Sequence, residues 1–290
     1  MYVYTIIMDI VICLAKRDFR IIKKTVRYVR MYLQDQEDNI FLIAPSVINK
    51  CYSSQWKKKN NVTFICEDEL APGLSFQSVK KCQLNHFKCP LHTGWYLQQF
   101  LKMGFALSKY AKEHYLIWDS DTIPLRKISF YEEGKYLFAA KTENNRPYFE
   151  TMERLLGFGK LEDFSFIAEH MVIETLIMKN LINKIASSDL SGSLWFEKIL
   201  NATSGVDESA FSEFETYGNY CSKFHPGLYK IRELRTLREG GLLFGRGVTD
   251  SELMLLSKMG FDTASFEYYH VPPFPRSLIN KYERFLEKML

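Results

Sequence analysis

The sequence of 290 residues contains no long hydrophobic run. A membrane-spanning helix requires roughly 18 to 20 uninterrupted apolar residues. The apolar segment Tyr2–Leu14 is shorter than that and is interrupted by Asp9. We therefore expect a cytoplasmic protein that does not cross the membrane, with peripheral contact at the inner face of the cell membrane left open.

Cysteine is scarce and scattered, with six residues in the whole chain. Such spacing in a long chain without a signal peptide argues against a disulfide framework. The tightest group, Cys82, His86, Cys89 and His92, offers soft or borderline ligands but matches no usual zinc spacing. A loop before a helix is the simpler interpretation of this segment.

Long runs of one charge are also missing. The net charge is +4, the isoelectric point is near 8.6, and basic residues alternate with acidic and aromatic ones. Charge alone therefore does not indicate a nucleic-acid partner. A weak preference for anionic substrates or a membrane surface remains open.

The pattern of apolar residues predicts an α/β fold. Hydrophobic residues make up 47% of the chain, enough for one large domain over 1–290. Short apolar runs alternate with amphipathic segments, which is typical of a sheet with helices on both faces. The predicted strands are Asp9–Leu14, Ile40–Ala44, Val62–Cys66, Tyr115–Trp118 and Tyr136–Ala140.

Predicted helices separate these strands. From Asp18 onward, apolar residues recur at steps of three and four, and Asp18 itself can cap the helix. Ser46–Asn60 is long enough for a helix, whereas Leu70–Pro90 shows little periodicity. Further helices are predicted at 96–107, 148–156 and 174–186, after a capping box at Thr249 and Glu252, and in an amphipathic segment at 282–290.

Two aspartates follow the fourth predicted strand directly. Open α/β sheets bind ligands beyond the carboxyl ends of their strands, where Asp119 and Asp121 lie. Carboxylates in this spacing are hard oxygen ligands for Mg²⁺ or Mn²⁺, and such a metal can neutralise a diphosphate leaving group. The alternative is an ordinary turn or helix cap, although the strand before the pair and Pro124 after it favour the metal site.

Two other enzyme classes also place aspartates after a strand or bind nucleotides. In a phosphatase of the haloacid dehalogenase type, a Thr or Val follows the second aspartate after one spacer. Here Thr122 is adjacent and Ile123 takes that place. A sugar nucleotidyltransferase would carry a glycine-rich phosphate loop directly after the first strand. Residues 15–18 occupy that place here and include no glycine, so this class is disfavoured.

Four blocks of sequence together resemble a known family. They are Gly94–Lys102, Tyr115–Thr122, Ser165–Met171 and Phe211–Gly218. In order and spacing they are similar to the bacterial polysaccharide-associated GT-A glycosyltransferases, long catalogued as a domain of unknown function. The resemblance implies a GT-A-like, Rossmann-type nucleotide-binding sheet, with a nucleotide-sugar-binding half at 1–121 and an acceptor-binding half at 122–290.

The resemblance also implies roles for residues of the donor half. Asp119 and Asp121 would bind Mn²⁺ or Mg²⁺ together with the nucleotide, and His225 or His270 would complete the metal shell. The remaining residues implied on the nucleotide-sugar side are Lys16, Arg17, Asp18, Gln98, Gln99, Trp118 and Ser120. For the two glutamines, a solvated helix face is the alternative.

In the acceptor half, the resemblance implies an acidic segment beneath the acceptor. Glu213 would be the base that removes the acceptor hydroxyl proton, with Glu215 as the alternate. Ser212 and Glu215 also have the spacing of a capping box, so a helix N-terminus explains these acids as well.

Two further polar residues are candidates on the residues alone. His170 follows an apolar stretch, so it is either a buried histidine with hydrogen-bond partners or a substrate or metal contact. Arg246 lies between Gly245 and Gly247, in a segment that is either a loop closing over a diphosphate or an ordinary turn-rich connection.

The favoured function is that of a hexosyltransferase-type enzyme. It would transfer a sugar from a nucleotide-diphosphate donor, expected to be UDP-linked. The acceptor would be a hydroxyl of a surface polysaccharide or lipid-linked glycan. With Glu213 as base, the anomeric carbon would be inverted. The alternatives are a metal-dependent phosphohydrolase with Asp119 as nucleophile, and a non-catalytic glycan-binding protein, which the 15% aromatic content allows.

Overall fold

The structure, a computed structural model, describes residues 8–33, 38–86, 92–204 and 209–288. Its strands are β1 (Asp9–Cys13), β2 (Ile40–Ala44), β3 (Val62–Cys66), β4 (His114–Trp118), β5 (Thr122–Pro124), β6 (Tyr131–Glu132), β7 (Lys135–Ala139), β8 (His170–Glu174), β9 (Tyr229–Arg232), β10 (Thr236–Leu237) and β11 (Thr263–Ser265). The predicted α/β class is confirmed.

Helices alternate with the strands along most of the chain. They are α1 (Ile22–Tyr32), α2 (Ser46–Asn49), α3 (Ser54–Lys59), α4 (Phe76–His86), α5 (Thr93–Gly104), α6 (Arg146–Leu156), α7 (Thr175–Ala186), α8 (Trp195–Ala202), α9 (Glu213–Phe224), α10 (Gly240–Phe244), α11 (Asp250–Lys258) and α12 (Arg276–Lys288). None of the described helices is both long and apolar enough to cross a membrane.

The chain divides into two compact units, each assembled from separate segments. The first unit contains 1–64, 118–131 and 233–290, and the second contains 65–117 and 132–232. These units describe how the chain packs and do not show which part binds which substrate. The functional division at 121 stays a prediction.

In the first unit, strands lie in the order β3, β2, β1. β1 and β2 are parallel, with Ile10 opposite Ile40 and Ile12 opposite Leu42. Every residue of both strands is buried. This burial on both faces explains why the strands are nearly continuous apolar runs and lack the alternation of a half-exposed strand.

A second small sheet completes the first unit. β5 pairs antiparallel with β11, and β11 pairs parallel with β10. Helix α1 packs against β5. The apolar side chains that meet there are Ile21, Tyr28, Ile123, Leu125, Val248, Leu253, Leu256, Ala264 and Phe266. This core holds the segment that follows Asp121 against the C-terminal part of the chain.

The second unit is largely helical. β4 and β8 are neighbours, and β7 and β9 are parallel with Tyr136 opposite Tyr229. An aromatic cluster joins α5, α8 and the segment before α9, with the Phe100 ring 5.6 Å from Trp195, 5.9 Å from Phe196 and 6.1 Å from Phe211. Such tilted and edge-on ring pairs add to the energy of apolar burial.

Several predicted boundaries differ from the structure. Leu70–Pro90 contains α4, whose helical period is weak because only Val79 and Gln83 are buried on it. Two short helices replace the single one predicted in Ser46–Asn60, since Ser53 caps a new start by accepting the Trp56 N–H at 3.2 Å. The C-terminal helix begins at Arg276, ahead of the predicted segment at 282–290.

Gly218, in the interior of α9, provides a test of the packing. A Cβ there would lie 2.2 Å from the Phe166 ring, which is fully buried. A helical Gly→Ala change normally stabilises by roughly 0.5–1 kcal/mol, but overpacking costs about 1–3 kcal/mol. We expect Gly218→Ala to lower the free energy of unfolding in urea, whereas Gly94→Ala, with open space in α5, should not lower it. Equal stability of the two variants would contradict this packing.

Candidate functional site

The turn Asp119–Ser120–Asp121 connects β4 to β5. The Thr122 N–H donates to the Asp119 carbonyl at 3.2 Å, which closes the turn. The indole N–H of Trp118 donates to the Thr122 carbonyl at 2.7 Å, and Trp118 is fully buried. The structure therefore places Trp118 in the core, with its polar group occupied by the backbone of the turn.

Ser120 is held from two sides. Its hydroxyl donates to Asp18 Oδ2 at 3.2 Å, and its carbonyl accepts from the Thr25 hydroxyl on α1 at 2.8 Å. Ser120 is buried, whereas Asp119 and Asp121 on either side are half-buried. The two candidate metal ligands are therefore the more accessible side chains of this turn.

Asp18 ends a short 3₁₀ helix at Lys16–Asp18 and is buried. Arg246 Nη1 donates to Asp18 Oδ1 at 2.9 Å, and Arg246 Nη2 donates to the Arg17 carbonyl at 2.9 Å. Lys16 and Arg17 are exposed. The structure thus brings three predicted residues, Asp18, Ser120 and Arg246, into direct contact.

Carboxylates outnumber cations around Asp121. Burial raises the pKa of Asp121 well above its usual range, and the negative charges of Asp18, Asp119 and Glu267 raise it further. The positive charge of the Arg246 guanidinium opposes this rise. Negative charge therefore exceeds positive charge here, and it is carried by hard oxygen donors. Such an environment attracts a divalent cation.

The segment after β11 lies against the same turn. The Phe266 N–H donates to the Asp121 carbonyl at 2.9 Å, and the Thr122 and Ser265 hydroxyls are 2.8 Å apart. Glu267 follows directly. Sequence reasoning missed Glu267 because Thr263–Ser265 is too short and too polar to be identified as a strand.

Tyr268 was also missed, although three arginines surround it. The guanidinium carbons of Arg17, Arg246 and Arg284 lie 5.8, 5.5 and 4.7 Å from the centroid of its ring. Cation–π attraction favours this arrangement. A positively charged aromatic surface therefore adjoins the carboxylates.

The two histidines predicted as metal ligands lie in different surroundings. His270 is buried, its ring packs on Gly241, and burial lowers its pKa while Glu239 opposes the shift. His225 is half-buried at the end of α9 in the second unit. Within the described ranges, no group of three or more His, Cys, Asp or Glu side chains converges to hold a metal ion. Cys89 lies outside those ranges.

Glu213 opens α9 in the second unit and is buried in an ion pair. Lys102 Nζ lies 2.8 Å from Glu213 Oε1, and both side chains are almost fully enclosed. The Glu213 N–H donates to Gln99 Oε1 at 3.4 Å. Gln98, next on α5, is half-buried. A role for Glu213 as a base would require its carboxylate to leave Lys102.

Glu215 belongs to a second buried network. Its N–H donates to the Ser212 hydroxyl at 3.2 Å, so Ser212 caps α9, which is the Ser212 half of the predicted capping box. The Glu215 carboxylate accepts from the hydroxyl of Ser165 and from Asn219 Nδ2. Burial raises the pKa of Glu215, and these hydrogen bonds oppose the shift.

His170 begins β8 and is buried. Its pKa lies well below the usual range because of burial and because of the positive charges of Arg232 and Lys141. Its Nε2 is 3.5 Å from Arg232 Nη2. A neutral ring that accepts from Arg232 fits this environment, in line with the interpretation as a buried histidine with a partner.

The raised pKa of Asp121 has a consequence for stability without metal. The carboxyl group of an unfolded aspartate titrates at about pH 3.9. Because the folded carboxyl keeps its proton to higher pH, its contribution is present at low pH and is lost as pH rises through the folded pKa. Asp121→Asn should therefore stabilise the protein more at pH 8 than at pH 4, since each tenfold change in proton affinity on folding corresponds to about 1.4 kcal/mol.

The measurement is urea unfolding in EDTA at both pH values. Asp189→Asn is a matched control, since Asp189 is exposed and lies in the second unit. A gain for Asp121→Asn that is equal at both pH values would contradict the raised pKa.

Comparisons with solved structures find glycosyltransferases. The galactosyltransferase LgtC, in complex with donor and acceptor sugar analogues, is 13% identical over 98% of this chain and 96% of its own, with a TM-score of 0.49. Mouse xyloside xylosyltransferase 1 is 12% identical over 89% of this chain and 97% of its own, with a TM-score of 0.47.

WbbM, a bifunctional glycosyltransferase, is 11% identical over all of this chain, with a TM-score of 0.44, and this chain spans 53% of its length. No curated protein matches the sequence. A family model matches residues 25–228, which is well over half of the chain. The protein therefore belongs to the family of unknown function DUF6492, in agreement with the predicted membership in a family catalogued as a domain of unknown function.

Proposed function

We propose that the protein is a metal-dependent glycosyltransferase of the hexosyltransferase type. It would move a sugar from a nucleotide-diphosphate donor to a hydroxyl of a surface polysaccharide or lipid-linked glycan. The observation that carries the proposal is the pair of carboxylates, Asp119 and Asp121, on the hydrogen-bonded turn after β4, with Asp18 and Glu267 adding negative charge and exposed cations beside Asp18. The sequence blocks similar to GT-A glycosyltransferases support the same assignment.

The donor chemistry of the turn fits Mn²⁺ or Mg²⁺. Asp119 and Asp121 would hold the ion, because their hard carboxylate oxygens lie on one turn and negative charge is in excess there. Ions of this kind usually keep several ligands from water and substrate phosphates, so two protein carboxylates are enough. When bound, the metal would neutralise the diphosphate as it leaves.

The exposed cations of the first unit would bind the nucleotide side of the donor. Lys16 and Arg17 are exposed beside buried Asp18. Guanidinium and ammonium groups bind phosphate oxygens, and a guanidinium can do so with two parallel hydrogen bonds.

Glu213 would be the base of the acceptor side, with Glu215 as the alternate. The Glu213 carboxylate lies 2.8 Å from Lys102 Nζ, and a base must have a carboxylate oxygen available to accept a proton. Movement of Lys102 would then free an oxygen to take the acceptor proton. Attack by the deprotonated hydroxyl would give inversion at the anomeric carbon.

We also propose peripheral membrane contact through α12, whose apolar side faces solvent. Its polar side packs inward, where Asn280 and Arg284 donate to the His270 carbonyl at 3.1 Å. The exposed fractions of its apolar residues are 57% for Leu278, 56% for Ile279, 62% for Tyr282 and 59% for Phe285. Helix α12 contacts the 3₁₀ helix Lys16–Asp18, which carries the exposed Lys16 and Arg17. Positive charge therefore adjoins the apolar side of α12, and such charge attracts anionic lipids.

A thermal-shift panel of nucleoside diphosphates tests the donor site. We expect UDP to raise the melting temperature only with Mn²⁺, by the equivalent of about 2.7 kcal/mol at a hundredfold excess over Kd. Asp119→Asn should abolish the gain because it removes a metal ligand, and Asp163→Asn, an exposed control, should keep it.

The two alternative functions, a phosphohydrolase and a glycan-binding protein, predict different results for the same protein. A phosphoaspartate trapped on Asp119 would favour a phosphohydrolase. Glycan binding without Mn²⁺ or a nucleotide, retained in Asp121→Asn, would favour a binding protein. Either result would count against sugar transfer.

Vesicle flotation tests the membrane surface. We expect binding to vesicles containing phosphatidylglycerol and binding by Phe285→Ser that is weaker by at least about tenfold, because burial of one such side chain contributes roughly 1.5–3 kcal/mol. Leu176→Ser is a matched control, since Leu176 is 63% exposed on α7 of the second unit. Concentration-dependent dimerisation lost in Phe285→Ser, without vesicle binding, would show that a second copy covers this surface instead.

A further inference from the structure

We infer that Asp18 and Arg246 are positioning residues, which orient the Asp119–Ser120–Asp121 turn through Ser120 and do not themselves bind the donor. The inference rests on the proposed function and deepens it. It assigns Arg246 a role inside the fold, different from the direct anion contact that the sequence predicts.

Arg246 uses its guanidinium within the protein. Nη1 and Nη2 each donate at 2.9 Å, to the Asp18 carboxylate and to the Arg17 carbonyl. The side chain is 2% exposed. An arginine so enclosed can bind a phosphate only if its guanidinium leaves Asp18, which would then keep only the Ser120 hydrogen bond and the 3.9 Å ion pair with Arg17 for a buried charge.

The backbone at Gly245 aims Arg246 inward. Gly245 has φ +65°, a left-handed value that favours glycine, and a Cβ there would lie 2.9 Å from Pro272. The Arg246 N–H donates to Asn280 Oδ1 at 3.5 Å. Local geometry and contacts with α12 therefore direct the guanidinium toward Asp18.

Asp18 passes this constraint to the turn. One oxygen accepts from Arg246 and the other accepts from the Ser120 hydroxyl at 3.2 Å. The Ser120 carbonyl is fixed separately by Thr25. With its side chain and its carbonyl both fixed, Ser120 determines the backbone from which Asp119 and Asp121 project.

Outer partners of metal ligands commonly act in this way. They hold a ligand in the geometry that the ion requires, and their loss typically costs 10–100-fold in metal affinity. Lysine cannot replace Arg246, because one ammonium group does not reproduce a planar fork that reaches two fixed acceptors. The charge of Arg246 is thus less important than its two-point contact.

The test measures Mn²⁺ affinity with UDP present, by titration calorimetry and by the electron paramagnetic resonance spectrum of bound Mn²⁺. We expect Ser120→Ala, Asp18→Asn and Arg246→Lys each to weaken binding about 10–100-fold and to change the spectrum. Of the three variants, Ser120→Ala should disturb folding least, because it removes only one hydroxyl group. The effects of Asp18→Asn and Arg246→Lys should be less than additive, because both break one chain of contacts.

Arg30→Lys is the matched control. Arg30 also donates through two nitrogens, at 2.8 and 3.0 Å, but its acceptors are the Asn60 and Asn61 carbonyls before β3 and not groups that contact the Asp119–Ser120–Asp121 turn. It should lose stability in urea without losing Mn²⁺ affinity. Folded Ser120→Ala and Arg246→Lys proteins that bind Mn²⁺ within twofold of the parent would overturn the inference. If the parent protein binds no Mn²⁺ with any nucleoside diphosphate, the proposed function fails and the inference fails with it.

Discussion

The buried ion pair between Asp18 and Arg246 is the constraint on which the candidate site depends. It joins the turn after β1 to a segment near the C-terminus and leaves one Asp18 oxygen for Ser120. Desolvation makes such a pair costly unless the hydrogen bonds of both groups are largely satisfied, and here each makes at least two. A pair kept in this way specifies one arrangement of the chain, even where it adds little net stability.

The carboxylates near that pair have two opposite effects: they lower the stability of the fold, and they would bind the proposed cation. Four carboxylates, those of Asp18, Asp119, Asp121 and Glu267, share one small region of the first unit. Like charges at short range destabilise a folded protein without a counter-ion, and burial followed by these charges raises the pKa of Asp121. Functional sites commonly carry such a penalty, because the same charge that destabilises the empty site binds the ligand.

Some of this could be predicted from the sequence and some could not, for physical reasons. β1, β2 and β4 could be predicted because strands buried along nearly their whole length are continuous apolar runs. The capping box at Thr249 and Glu252 could be predicted because it is local. Helix α4 was missed because few of its side chains are buried.

Long-range contacts escaped prediction entirely. No local pattern reveals that Arg246 meets Asp18, or that Glu267 and Tyr268 return beside a turn far earlier in the chain. Likewise, the hydrophobic period of α12 predicted an amphipathic helix, but not that its polar side would face inward. Periodicity shows that a helix has two faces and leaves open which one the protein covers.

The family match has a practical consequence for anyone who trims this chain. The matched region, 25–228, contains both aspartates of the turn but excludes Asp18 at one end and Arg246 and Glu267 at the other. A fragment cut to those limits would keep the recognisable motif and lose the side chains that hold it, together with β1 and β11. The part of the sequence most easily recognised is therefore not a self-sufficient piece of the machinery.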